Sequence, residues 1–236
     1  ILGRDLWVVA GRPGMGKSAF MCNSVLSGVP SLIFSLEMSK ESLMYRLISM
    51  TSGVPIFNLR LGRLTQEELD KVADAVKELK NLPIYIDTTF MTSVDSVVSL
   101  TKKYNRLYGI KVVHLDYVQI LADRSAEATH EIGRISRAMK NLAHDLNIAS
   151  VVYSQLNRNV EAREDKRPML ADLRQSGNLE EDADVVTFLY RDEMYNPNTK
   201  FKHVLELLVK KQRNGPTGVV TTLFNDQTNK ITEAVK

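Results

Sequence analysis

The residues Gly11-Arg12-Pro13-Gly14-Met15-Gly16-Lys17-Ser18 follow an apolar run, Leu6-Trp7-Val8-Val9-Ala10, and precede a helical pattern. Their spacing, G-x-x-x-x-G-K-[ST], is that of a phosphate cradle. Glycines let the backbone N–H groups turn inward around phosphate oxygens, and a Cβ at Gly16 would obstruct that approach. Lys17 brings a positive charge to the β- and γ-phosphates, Ser18 Oγ can ligate Mg²⁺, and the helix N-terminus adds its dipole. The expected nucleotide-binding set is Gly11, Arg12, Pro13, Gly14, Met15, Gly16, Lys17, Ser18 and Ala19. Average residue usage produces such a match by chance in about one chain of this length in a hundred, before the flanking strand and helix are demanded.

Hydrolysis needs more than a cradle. Asp116 closes the apolar run Val112-Val113-His114-Leu115, which puts a carboxylate at the carboxyl end of a strand, where open α/β sheets bind ligands. Alone, a strand-ending Asp is a turn or cap residue; with the cradle upstream it becomes the second Mg²⁺ holder beside Ser18. Glu37 ends Ile33-Phe34-Ser35-Leu36 in the same way and could polarise an attacking water, although a carboxylate there also favours the N-terminus of the helix that Ser39 caps. Gln155, just past the strand ending at Ser154, is a candidate γ-phosphate sensor or a plain surface glutamine. His114 reads as a satisfied core histidine.

These groups need strands to carry them. Leu6–Ala10, Leu32–Leu36, Ile84–Ile86, Val112–Leu115 and Ala149–Tyr153 are short, near-continuous apolar runs, as in a parallel sheet covered on both faces. Helical patterns lie between them. Thr65-Gln66-Glu67-Glu68 is a capping box, followed by Leu69, Val72, Ala73 and Val76 as a core stripe; Ile132, Ile135, Met139, Leu142 and Leu146 make another. After Tyr153 the chain is polar from Asn157 to Asp184, the kind of segment that is functional or mobile. It ends with Val185–Leu189, Val204–Val209, a turn at Asn214-Gly215-Pro216-Thr217-Gly218, and Val219–Phe224, the last two strands pairing as a hairpin.

Composition narrows the class. The chain has 236 residues, 44% hydrophobic and 25% charged, with a net charge of +3, which is ordinary globular usage. One α/β domain can absorb that length, so residues 1–236 are expected to form a single domain. The charge permits a polyanionic partner without demanding one. A single cysteine, Cys22, forbids an internal disulfide, and His114, His130, His144 and His203 never fall at metal-ligand spacing, so a reduced cytoplasmic compartment and no zinc site are expected. The longest charge-free stretch, Ser18 to Leu36, carries Asn23, Gly28, Pro30 and serines, unlike a membrane span. The chain opens on Ile1-Leu2-Gly3 with no signal-like region, and is read as one domain of a longer protein.

In order along the chain, the cradle, Leu36-Glu37-Met38-Ser39, Leu115-Asp116-Tyr117, Ser154-Gln155-Leu156, Asp172-Leu173-Arg174-Gln175-Ser176-Gly177, Phe188-Leu189-Tyr190-Arg191-Asp192 and Lys211-Gln212-Arg213-Asn214-Gly215-Pro216 resemble the ATPase domain of DnaB-type hexameric replicative helicases. That family is a branch of the RecA-like P-loop motors. The resemblance spans nearly the whole chain, and the last motifs are far narrower than the cradle.

The resemblance implies a RecA-like P-loop fold with ATP and Mg²⁺ as cofactors, Glu37 activating water, Asp116 holding Mg²⁺ and Gln155 reporting the γ-phosphate. Lys17 completes the catalytic set in cis, and Lys211 and Arg213 would act in trans, as a finger reaching the neighbouring subunit's nucleotide. Without it, Lys211 and Arg213 read as charges that keep a strand edge solvated. It also implies that Arg174, Gln175 and Gly177 face single-stranded DNA in the central channel of a six-membered ring. Where the family usually carries an acidic residue, this chain has Gln175. Arg174 offers charge and Gly177 a close backbone approach, and with no aromatic between Asn157 and Asp184 the loop suits phosphate tracking rather than base stacking.

The function so implied is an ATP-hydrolysing DNA helicase motor of a bacterial cell, of host or phage origin, working with a primase and a loader in the full-length protein and with no membrane. The alternative is an ATP-gated DNA-binding assembly or loader module of the RecA-like class. Glu37, Asp116, Gln155 and Arg213 together favour the motor, because a pure switch needs fewer of them.

Overall fold

The computed structural model describes residues 3–89, 93–122, 128–176 and 178–234, with the backbone alone for 122, 128–129, 174–176 and 178. In chain order come β1 (Leu6–Gly11), α1 (Lys17–Val25), β2 (Ser31–Ser35), α2 (Lys40–Ser52), α3 (Ile56–Leu61), α4 (Gln66–Lys80), β3 (Ile84–Asp87), α5 (Val94–Tyr108), β4 (Val112–Asp116), α6 (Val118–Ala122), α7 (Ala128–Leu146), β5 (Ala149–Gln155), α8 (Asn178–Asp182), β6 (Val185–Tyr190), β7 (Val204–Gln212), β8 (Gly218–Phe224) and β9 (Ile231–Glu233). Short 3-10 helices cover Arg158–Ala162, Leu170–Ser176 and Asp192–Met194.

The strands form one sheet in the order β3-β2-β4-β5-β1-β6-β7-β8-β9. From β3 to β6 every pairing is parallel; β7, β8 and β9 add on antiparallel. The expected parallel sheet and C-terminal hairpin both form. The short β9 lies outside the expected set, since three residues at the end of a polar stretch carry no period long enough to read.

Successive residues of the central strands serve opposite cores, as the pleat dictates. Val8, Ala10, Leu32, Phe34, Leu115 and Val152 bury against α5 and α7 through Val97, Ile135, Met139 and Leu142. Val9, Ile33, Val151 and Tyr153 face the other way, against Met21, Cys22 and Val25 of α1 and Leu43, Leu47 and Met50 of α2. Truncating one such residue, for example Leu47→Ala, costs about 2–5 kcal/mol, transfer and cavity terms together. The α7 stripe is the core stripe its spacing predicts.

The α4 stripe is corrected. Leu69 is 45% exposed and Ala73 is also exposed, while Ala75 and Leu79 are buried with Val72 and Val76 half-buried. The covered face is therefore 72, 75, 76 and 79, still at helical spacing but rotated, because α4 lies over α2 at the sheet's β3 side and only a narrow strip meets it. The capping box itself forms: Thr65 Oγ1 accepts from Glu68 N at 3.2 Å and Glu68 Oε2 accepts from Thr65 N at 2.9 Å. The polar span after β5 is tied to the core by buried Val160, Leu173 and Leu179. No helix among the described residues is long and apolar enough to cross a membrane.

Candidate nucleotide site

Sheet register gathers the site. Gly11 pairs with Gln155 across β1 and β5, and Ser35 with Asp116 across β2 and β4, so these carboxyl ends lie along one edge of the sheet. The cradle runs from that edge into α1. Gly16 has φ 94° and Gly14 φ 80°, left-handed conformations that need glycine.

Lys17 Nζ donates to Gly11 O at 2.8 Å and to Arg12 O at 3.4 Å. Burial lowers its pKa, while the charges of Asp116 and Glu37 pull it back up. Ser18 Oγ donates to Asp116 Oδ2 at 3.2 Å. Asp116 is 1% exposed, and its Oδ1 has no hydrogen-bond partner among the described residues. Burial pushes its carboxyl up to about 6, against the Ser18 hydrogen bond and the Lys17 charge. A buried carboxylate with one oxygen unpartnered, beside a hydroxyl, is a hard oxygen donor set short of positive charge. It fits Mg²⁺.

Glu37, exposed, lies in the bend between β2 and α2, whose first turn Ser39 caps by accepting from Ser42 N at 3.3 Å. Gln155 closes β5. Its N–H donates to Gln119 Oε1 at 3.2 Å, and Gln119 Nε2 donates to Gln155 O at 3.1 Å, so α6 clamps the backbone of the expected sensor. His114 is buried, its Nδ1 3.2 Å from the Tyr153 hydroxyl, as a core histidine should be. Burial pushes its pKa down to about 3, so the ring is neutral.

A cavity of about 500 Å³ is lined by Pro13, Gly14, Gly16, Lys17, Ser18, Ala19, Glu37 and Gln155. Its further wall was missed by sequence reasoning and comprises Arg46, Arg191, Met194, Phe224, Asp226 and Asn229. Arg191 stacks on the Phe224 ring at 4.1 Å and pairs with Glu193 and Asp226. A Cβ on Gly14 would stand 3.0 Å from Met194 Cε, so this wall closes tightly on the cradle. The only available signal was Arg191 within Tyr190-Arg191-Asp192, which spacing alone gave no role. The same fold brings His203 beside Glu193 and Asp226, with ligand atoms within 4.8 Å of one another, a meeting that histidine spacing did not foretell. Arg191 already balances both carboxylates there.

Lys211 and Arg213 lie outside that cavity. The strand expected to end at Val209 runs on to Gln212, so Lys211 sits in the ladder, and Arg213 does not stand free at a hairpin tip. Arg213 N donates to Asp184 O at 2.9 Å and its guanidinium to Glu181 O at 3.0 Å; Lys211 Nζ donates to the carbonyls of Glu180 and Glu181. The orphan carbonyls at the end of α8 attract these cations. Of the expected DNA-facing residues, Gly177 and the side chains of Arg174 and Gln175 lie outside the described residues.

A sequence model of the DnaB-like helicase C terminal domain matches residues 2–233. The replicative DNA helicase DnaB of Geobacillus stearothermophilus is 40% identical over 235 residues, 96% of this chain and 52% of that protein. The replicative DNA helicase DnaC of Bacillus subtilis (strain 168) is 39% identical, with 96% and 52% covered. The chain thus spans about half the length of these curated relatives. A solved structure of a DnaB-like replicative helicase, described with its interactions with primase, superposes with a TM-score of 0.94 at 34% identity, covering 99% of this chain and 58% of that one. The cradle, the sheet edge behind it and these likenesses agree: the chain belongs to the DnaB-like helicase C terminal domain family.

Proposed function

We propose that this chain is the ATP-hydrolysing motor of a replicative DNA helicase, working in the cytoplasm as part of a six-membered ring on single-stranded DNA. One observation carries the reading: Lys17, Ser18, Glu37 and Gln155 line one cavity, with Asp116 hydrogen-bonded to Ser18 behind it, in a chain of this family.

The roles follow from the chemistry of each group. Lys17 leaves its loop carbonyls to bind the β- and γ-phosphates. Ser18 and Asp116 hold Mg²⁺, which supplies neutralisation of the phosphate charge. Glu37 takes the proton of the attacking water, and Gln155, its backbone clamped by Gln119, reads whether the γ-phosphate is present. Lys211 and Arg213 serve the nucleotide of the adjoining subunit; their position away from the chain's own cavity supports that assignment. Arg174, Gln175 and Gly177 track the DNA backbone. The solved relative described with primase supports primase as a partner of the whole protein; a loader is a further partner of this reading.

The test is ATP turnover with and without single-stranded DNA, combined with displacement of a strand from a forked duplex and native mass measurement with and without nucleotide. Stimulation by DNA, unwinding and a hexamer mass are expected. ATP turnover that ignores DNA, with no unwinding by an assembled ring, would leave an ATP-gated assembly module and refute the motor.

A further inference from the structure

Lys17 Nζ is held by the carbonyls of Gly11 and Arg12. A phosphate competing for Nζ draws it off both, so these are the two residues whose hydrogen bonding must change when nucleotide enters. Each is tied to the segment beyond β5. Leu156 N donates to Gly11 O at 3.4 Å, and Arg12 Nη1 donates to Leu156 O at 2.8 Å. Arg12, whose side chain is only 10% exposed, then holds Glu161 Oε1 through Nε at 2.7 Å.

Glu161 and Arg163 stand at the end of the 3-10 helix Arg158–Ala162, which buried Val160 anchors. Arg163 grips Asp172 with two bonds of 2.8 and 3.2 Å, and Asp172 Oδ2 also accepts from Met169 N at 2.8 Å. That fixes the first turn of the 3-10 helix Leu170–Ser176, whose Leu173 is buried. In each pair one partner is largely buried, Arg12 and Asp172, while Glu161 and Arg163 stay partly exposed, and the charge-assisted bonds fix the geometry of both contacts.

We propose that Arg12–Glu161 and Arg163–Asp172 are a positioning linkage through which phosphate binding at the cradle sets the placement of the segment 170–176. The proposal rests on the motor reading, in which that segment leads into the DNA-tracking loop. The two states are Lys17 on the loop carbonyls and Lys17 on phosphate, and a coupling of this kind is reciprocal: nucleotide alters DNA affinity by the factor with which DNA alters nucleotide affinity.

The measurement is the affinity of the assembled protein for a fluorescent oligo-dT in a non-hydrolysable ATP analogue and in ADP. Their ratio reports the coupling, and a typical factor is about 5–150-fold. Glu161→Gln and Arg163→Met should each bring the ratio to within about threefold of unity. Turnover without DNA should stay within about twofold of the unmodified rate, since neither residue lines the nucleotide cavity. Arg163→Lys, keeping the charge without the fork, should retain part of the ratio. Glu161 and Arg163 are partly exposed, and thermal melts check the fold of both variants; a merely structural role would shift the melt and leave the ratio alone. If the unmodified protein binds the oligo-dT with neither nucleotide, the motor reading fails. If it binds the oligo-dT with either, an unmodified ratio of one, or a full ratio in both folded variants, overturns the linkage alone.

Discussion

Ser18 Oγ and Asp116 Oδ2 meet at 3.2 Å although 98 positions separate them, the hydroxyl donating to the carboxylate at the point where α1 begins and β4 ends. The meeting follows from β1 and β4 both presenting their carboxyl ends to one edge. Lys17 stands one residue before this pair, buried enough that its charge is costly and must be answered by anions. Lys17→Ala should therefore abolish ATP turnover and severely weaken nucleotide binding, read by rate assay and by titration with a fluorescent ATP analogue. Unchanged turnover would remove the cradle from the chemistry.

Glu37→Gln separates catalysis from capping. As the base that activates water, its loss should slow hydrolysis at least ~100-fold while ATP and Mg²⁺ still bind. The helix cap itself belongs to Ser39. A variant that melted early yet kept its rate per folded molecule would assign Glu37 to helix stability instead.

Arg174→Ala should weaken single-stranded DNA binding about equally for every sequence and lower the salt slope by about one, as loss of one phosphate contact does. Filter binding of several homopolymers across a salt series reads both quantities. A loss confined to one base composition would point to base readout.

Arg213→Ala should leave nucleotide binding nearly intact but cut turnover of the assembly by roughly 10³-fold, the scale of other fingers. Its present partners are a main-chain carbonyl of α8 and Asp184 at 3.7 Å, weak holds for a guanidinium that is half exposed. Mixing Arg213→Ala subunits with Glu37→Gln subunits should restore part of the ATPase, because some interfaces then pair an intact Glu37 with an intact Arg213. No recovery in rings shown to be mixed would assign Arg213 a cis or purely structural role.

Cys22 offers a probe of the core behind the cradle. It is fully buried in α1, and burial pushes its thiol up to about 12. Iodoacetamide at pH 8 should label it only as fast as the protein opens, and ATP should slow labelling further by stabilising the folded state. Rapid labelling of the folded protein, unaffected by ATP, would show that α1 detaches locally.

The cradle, Asp116, Glu37 and Gln155 were legible because each is a local pattern: contiguous glycines before a lysine, or a polar residue closing an apolar run. Neighbours in the chain suffice to specify such features, as they do the Thr65 capping box and the α7 stripe. The wall of Arg191, Phe224 and Asp226 was not legible, because it comes from the residue just past β6, the end of β8 and the turn after β8, whose approach to the cradle depends on sheet order. The same holds for the rotated stripe of α4, where periodicity names a helix but only the neighbouring α2 decides which face is covered. Arg213 illustrates the limit most directly: the sequence alone marked it as a cation at a strand end, and only the pairing of β6 with β7 laid it against α8. Hydrophobic period and backbone geometry act over a few residues, whereas the partner of each strand and charge is settled by which buried faces meet when the chain collapses.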